Sequence, residues 1–173
     1  MNRIAIVIGH SIRSQGAANH NGLTEFKFNQ RLALAICERG IPGAEIIPVY
    51  RDSYLDLPKK INVLNPDAII SLHCNAFNTK VSGTEVLYYH RSGSGQALAA
   101  ILQGNLVSAL NLPDRGIKPV DSEGRGGHLL KQTNAPCVIA EPFFIDNDAD
   151  LGRAQERFNE LVDAYRVTIQ EFM

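Results

Sequence analysis

The sequence predicts an α/β fold: a mostly parallel, twisted sheet with helices on both faces. Short apolar, β-branched segments alternate along the chain with segments whose apolar residues recur at helical spacing. Buried strands separated by helices are typical of parallel sheets that are covered on both sides. A chain of 173 residues fits one such domain. We therefore expect a single domain over residues 1–173, with about six strands.

Five segments have the short length, apolar character and flanking turn residues of strands. They are residues 4–8, 44–49, 67–72, 83–89 and 137–140. The segment 83–89 alternates only weakly between apolar and polar residues, and we expect it to supply an antiparallel partner in the sheet.

Four further segments have helical periodicity. They are residues 24–40, 55–64, 95–110 and 148–173. The first is the best delimited, because Thr24 is a suitable N-cap and Gly40 a natural stop. The last carries one apolar stripe over its whole length. Residues 113–127 are rich in glycine, proline and charge, which predicts a surface loop.

Composition argues against several classes of function. The 17 Lys and Arg residues against 18 Asp and Glu residues give a net charge of −1, so we expect no nucleic-acid partner. No early apolar run is long enough for a signal-peptide core or a membrane span, so we expect cytoplasmic synthesis without a signal peptide and no membrane insertion. The three cysteines lack paired spacing, which argues against a disulfide scaffold.

Polar residues capable of catalysis or metal binding follow three of the predicted strands. His10 comes after the first strand, His73 after the third and Glu141 after the last. In open α/β sheets ligands bind at the carboxyl ends of the strands. If these strands are parallel, the three side chains lie at the same edge of the sheet.

A fourth candidate, Glu25, opens the first predicted helix on the face that should meet the sheet. A carboxylate turned inward needs a partner to offset the loss of water, and a metal ion would provide one. Two imidazoles and one carboxylate with an open fourth position form a catalytic zinc site. We therefore predict that His10, Glu25 and His73 bind Zn²⁺. Glu141 would remain beside the metal as the group that accepts a proton from water.

Several segments, taken in order, resemble the zinc-dependent N-acetylmuramoyl-L-alanine amidases of bacterial autolysins, cell-separation amidases and phage endolysins. The segments are residues 6–10, 15–17, 23–29, 71–76, 83–89, 130–136 and 138–147. Two departures are that Val7-Ile8 stands where the family usually has Asp-Pro, and that Cys74 stands where alanine is common.

The resemblance implies the same roles: His10, Glu25 and His73 as zinc ligands and Glu141 as the catalytic glutamate. It implies peptidoglycan as substrate, with hydrolysis of the amide between N-acetylmuramic acid and L-alanine. We expect neither the inserted helix that blocks the site of regulated members nor a separate wall-binding domain. The protein would act at the cell wall or periplasm after release or export.

Two other functions compete with this interpretation. Cys74 with a histidine could form a cysteine hydrolase, although alternation along a strand turns adjacent side chains to opposite faces. A non-catalytic binding module could hold cell-wall fragments in the same crevice. Asn75, His128 and Lys131 are candidates for substrate contact whose roles the sequence leaves open.

Overall fold

The computed structural model describes residues 1–173, in which strands and helices alternate along most of the chain. The strands are β1 (Asn2–Ile8), β2 (Ala44–Val49), β3 (Ala68–Leu72), β4 (Thr84–Tyr89), β5 (Asp114–Val120) and β6 (Cys137–Glu141). The helices are α1 (Glu25–Arg39), α2 (Leu57–Val63), α3 (Gly93–Leu110), α4 (Gly127–Gln132), α5 (Asp148–Glu156) and α6 (Phe158–Phe172). None of these helices is both long and apolar enough to cross a membrane.

The six strands form one sheet in the order β2-β1-β3-β6-β4-β5. β2, β1, β3 and β6 run parallel to their neighbours. β4 is antiparallel to β6 and parallel to β5, so the sheet reverses direction once. The predicted α/β class, the mostly parallel sheet and the antiparallel role of residues 83–89 are confirmed.

Apolar side chains pack on both faces of the sheet. On one face a cluster of 32 buried residues joins the sheet to α1, α3, α5 and α6. On the other, a cluster of 11 buried residues lies under α2 and α4. A cavity opens on this second face, where residues of the smaller cluster form part of its lining.

The prediction of a surface loop over residues 113–127 is wrong in its first half, which forms strand β5. This segment pairs only with β4, at the edge of the sheet. An edge strand tolerates Gly116 and Pro119 because one side of its backbone needs no partner. Few of its side chains are buried, which is why its composition resembles a loop. Residues 121–126 do form turns, and no helix is inserted between β5 and α4.

Residues 148–173 form two helices where one apolar stripe predicted continuity. Arg157 leaves helical geometry, with φ −104° and ψ 34°, and separates α5 from α6. The hydrogen bond from the Leu161 N–H to the Arg157 carbonyl, 2.9 Å, restarts the helical pattern immediately. A break of one residue leaves the spacing of the buried positions intact, so periodicity could not reveal it.

Candidate active site

The predicted meeting of strand ends occurs at the centre of the sheet. β1, β3 and β6 are neighbours and parallel, so their carboxyl ends lie side by side. His10 follows the end of β1, His73 follows β3, and Glu141 is the last residue of β6. All three line one cavity of about 330 Å³. The parallel register explains why residues far apart in the chain are brought together.

Glu25 reaches the same cavity from the first residue of α1. The Thr24 side chain caps this helix by accepting a hydrogen bond from the Lys27 N–H. Glu25 then lies on the buried face of α1, as predicted, and its side chain is only 6% exposed. One carboxylate oxygen accepts from the Ala17 N–H at 2.9 Å and the other from the Cys74 N–H at 2.9 Å. Both oxygens are therefore fixed in position.

Two imidazoles meet the Glu25 carboxylate. His10 Nε2 lies 3.2 Å from Oε2, and His73 Nδ1 lies 3.5 Å from Oε1. The two rings are 5.1 Å apart between centroids, in an edge-to-face arrangement. The three residues bring one ligand atom each to within 4.8 Å of one another. They form a cluster that could hold a metal ion, and it consists of the three residues that the sequence analysis selects as candidate ligands.

The backbone beside the cluster is tightly constrained. His10 has φ 66°, a left-handed conformation that non-glycine residues adopt mainly where the surrounding structure imposes it. Gly16 has φ 76°, and a Cβ there would lie 2.6 Å from Glu25 Oε2 and 2.6 Å from the His10 ring. Only glycine allows the loop between β1 and α1 to pass this close to both side chains.

Protonation states suit the binding of a cation. Burial raises the pKa of Glu25, but hydrogen bonds with His10, His73 and the Cys74 N–H outweigh burial and hold the pKa below its usual range. Burial lowers the pKa of His73, against the attraction of Glu25. The cluster therefore presents an ionised carboxylate beside a neutral imidazole of His73.

The donor atoms of the cluster suit a metal ion such as zinc, which is bound in proteins by imidazole nitrogen and carboxylate oxygen. The three ligand atoms lie within 4.8 Å of one another, so one ion could contact all three. Three ligands beside a cavity leave a further position open for water or substrate. The donor set and its spacing therefore fit a metal ion.

Glu141 lies in a separate network of charges at the same edge. Arg125 Nη2 donates to Glu141 Oε2 at 2.7 Å and to Glu85 Oε1 at 3.0 Å. Glu85 also accepts from Arg115 Nε at 2.9 Å and from the Asn75 side chain at 2.9 Å. In the antiparallel pairing of β4 with β6, Glu85 lies directly opposite Glu141. Two buried carboxylates therefore share the guanidinium of Arg125.

The Glu141 carboxyl has a strongly perturbed pKa. The pKa of Glu141 is raised to about 8, and burial is the largest cause. The negative charges of Glu85 and Glu25 raise the pKa further, whereas the positive charge of Arg125 opposes the rise. The pKa of Glu85 instead falls, because Arg115 and Arg125 together outweigh its burial. A divalent cation at the neighbouring cluster would lower the pKa of Glu141 by attraction. Without a cation, Glu141 is therefore protonated more readily than an exposed glutamate.

The Cys74 thiol has no histidine partner. Its sulfur lies 3.8 Å from the side-chain amide of Asn29, and burial with the charges of Glu25 and Glu141 raises the thiol pKa well above its usual value. A nucleophilic cysteine needs the opposite shift. The geometry therefore disfavours a cysteine hydrolase.

Of the three residues whose roles the sequence leaves open, only Asn75 lies at the cavity. Asn75 lines the cavity and belongs to the Glu85 network. His128 contacts the Leu55 carbonyl outside the cavity, and Lys131 is exposed on α4. Sequence reasoning missed Glu85 and Arg125. A glutamate within an otherwise apolar strand was the one available signal for Glu85.

The fold and the cluster define the class of protein: an α/β domain with a candidate metal site at the carboxyl edge of its sheet. Within this class, the sequence pattern of the N-acetylmuramoyl-L-alanine amidases matches residues 4–171. The chain belongs to this family of enzymes. The match spans both the histidine–glutamate–histidine cluster and Glu141.

The chain is also similar to individual proteins of two Bacillus species. The chain is 28% identical over 170 residues to the uncharacterized protein YqiI of Bacillus subtilis, covering 93% of this chain and 80% of that protein. It is 33% identical over 92 residues to an uncharacterized cell wall amidase of Bacillus anthracis, a match that covers 49% of this chain and 16% of that protein. The match therefore spans about a sixth of the length of that relative.

The fold is also similar to a solved structure, the N-acetylmuramoyl-L-alanine amidase of Clostridium difficile 630. The two superpose with a TM-score of 0.90, over 99% of this chain and 96% of that one, at 18% sequence identity. The similarity extends over the whole sheet and its helices.

Proposed function

We propose that the protein hydrolyses the amide bond between N-acetylmuramic acid and L-alanine in bacterial peptidoglycan, with zinc held by His10, Glu25 and His73. The observation that carries the proposal is the convergence of this cluster and Glu141 in one cavity. Family membership supplies the bond and the substrate.

The cluster prepares the site before substrate arrives. Glu25 is held ionised, and its oxygens are fixed by two backbone N–H groups, so binding a cation requires little rearrangement. When bound, zinc supplies Lewis-acid polarisation of a carbonyl and lowers the pKa of water.

Glu141 carries the proton in the reaction. Its carboxylate accepts a proton from the attacking water and then donates that proton to the leaving amine of L-alanine. A carboxyl whose pKa lies near the working pH can do both. Burial at the end of β6 raises the pKa of Glu141 toward that range, and Arg125 donates a hydrogen bond to one of its carboxylate oxygens.

We also propose that the protein acts at the cell wall or periplasm, after release or export, because that is where its proposed substrate lies. The family assignment supports peptidoglycan as the substrate class.

Digestion of purified peptidoglycan followed by mass spectrometry tests the proposal. We expect free stem peptides with a new L-alanine amino terminus, together with unaltered glycan chains. New reducing sugar ends, or new amino groups inside the cross-link, would overturn it by assigning a different bond. Chelation should stop the reaction and added zinc should restore it. A protein that binds peptidoglycan without any release of peptides would instead be the non-catalytic binding module.

A further inference from the structure

Arg125 differs from the other members of its network in exposure. Its side chain is 58% exposed, whereas those of Glu85 and Glu141 are 6% and 5% exposed. The guanidinium donates to both carboxylates and to Asn75 Oδ1, at 3.3 Å. A guanidinium has five N–H donors in a planar fork. Part of this group therefore remains accessible from the cavity that Arg125 lines.

The backbone around Arg125 fixes its position. Gly126 has φ 76°, and a Cβ there would lie 2.1 Å from Ile139 Cδ1, so the chain passes directly against β6. The preceding turn is held by Asp121 Oδ1, which accepts from the Gly124 N–H at 2.7 Å. The backbone position of Arg125 in the cavity wall is therefore fixed, although its side chain is long and partly exposed.

Glu85 has a second cationic partner besides Arg125, namely Arg115. Arg115 Nε and the Asn75 side chain both contact it at 2.9 Å. Glu141 has no other cationic partner than Arg125. Arg125 thus pairs with a carboxyl group that must exchange a proton in the proposed reaction. An anionic substrate group that pairs with Arg125 would release Glu141 from this contact.

Resting on the proposed function, we infer that Arg125 is a specificity residue that binds a carboxylate on the peptide side of the scissile amide. The peptide side follows from chemistry. Glu141 donates its proton to the leaving amine, and Arg125 Nη2 lies 2.7 Å from Glu141 Oε2. A group this close to the proton donor faces the leaving peptide. A planar guanidinium favours carboxylates, to which it can donate two parallel hydrogen bonds.

A pair of substrates isolates this role. Two synthetic muramoyl peptides are compared that differ only in the residue after L-alanine, which carries either a free α-carboxylate or its primary amide. The wild-type protein should prefer the carboxylate about tenfold to hundredfold in kcat/KM, the usual worth of a charge-assisted hydrogen bond. The effect should lie mainly in KM.

Variants then assign the preference to one residue. Arg125→Gln should bring the ratio of the two kcat/KM values close to one, and Arg125→Lys should leave an intermediate ratio. The ratio cancels any effect of the substitution on Glu141, since both substrates share that proton transfer. Arg153→Gln, a change on α5 at a side chain that is 40% exposed, is the matched control and should retain the wild-type ratio.

The outcomes are distinct. A preference that persists in Arg125→Gln would overturn the inference and leave Arg125 as a residue that only orients Glu141. Equal rates of the wild type on both substrates would also overturn it, without any variant. Hydrolysis of neither substrate by zinc-loaded wild type would overturn the proposed function itself.

Discussion

Glu25 and Glu141 are equally buried, yet they have opposite acid–base properties. Their side chains are 6% and 5% exposed, and burial alone would raise the pKa of each. Glu25 accepts hydrogen bonds at both oxygens from backbone N–H groups and lies beside two imidazoles, so its pKa falls. Glu141 has one arginine and faces two carboxylates, so its pKa rises to about 8. The opposite pKa shifts of the two carboxyl groups therefore come from the groups that surround each of them and not from a difference in burial.

The largest expected effect comes from exchanging each carboxylate for an amide. Glu141→Gln should keep zinc at about one per chain, as the three-ligand site requires. Its turnover should fall by ~10²–10⁴-fold, because the proton acceptor is gone. Glu25→Gln should lose zinc together with activity, since a neutral amide is a poor ligand. Metal analysis and hydrolysis rates on the same preparations check both. Zinc loss in Glu141→Gln with retention in Glu25→Gln would exchange the two roles.

The same pair should differ in the stability of the metal-free protein. The folded state raises the pKa of Glu141 from 4.5 to about 8, so it favours the protonated form. The resulting stability is present below pH 4.5 and is lost as the pH rises through 8. Metal-free Glu141→Gln should therefore melt at a higher temperature than the wild type at pH 9. At pH 5 the two proteins should melt alike.

Glu25→Gln is the opposite case and serves as the control for this melting experiment. The pKa of Glu25 is lowered in the folded state, so its stabilising effect is present above pH 4.5 and disappears as the pH falls. Metal-free Glu25→Gln should melt below wild type at pH 7. An equal response of both variants to pH would mean that the two carboxyl groups share one environment.

A smaller effect is expected on the pH dependence of kcat/KM in the zinc-loaded protein. The positive charge of Arg125 lowers the pKa of Glu141, and the negative charge of Glu85 raises it. Activity requires ionised Glu141, so the acid limb should move to higher pH in Arg125→Gln and to lower pH in Glu85→Gln. Full pH profiles of the two variants check this. Movement in the same direction would show that neither charge acts through Glu141.

The smallest effect is expected for Cys74→Ser. The serine keeps the backbone N–H that Glu25 accepts, and the thiol has no role in the proposed reaction. The kcat/KM value should stay within about threefold of wild type, less than ~0.7 kcal/mol of barrier. Loss of turnover with zinc still bound would revive the cysteine mechanism.

The sequence predicted the metal-binding cluster better than the charge network, for a physical reason. His10 and His73 follow strands whose apolar segments can be recognised in the sequence, and the parallel pairing of β1 with β3 places both residues at one edge of the sheet. Arg125 follows the edge strand β5, whose glycine, proline and charged residues are typical of a loop. The hydrogen bond between Arg125 and Glu141 joins segments that come together only in the folded protein. The break at Arg157 was hidden in the same way, because a single residue can leave a helix without disturbing the apolar spacing around it.

The reversal of β4 has a further consequence. Because β4 runs against β6, its beginning and not its end meets the edge where the cluster lies, and this places Glu85 opposite Glu141. The sheet thereby has two halves with separate tasks. Strands β1, β3 and β6 carry the reactive groups, while β4, β5 and the turn after them bring the neighbouring charges. If Arg125 binds a substrate carboxylate as inferred above, substitutions in the second half of the sheet would change which peptides are accepted, while His10, Glu25 and His73 would keep their positions.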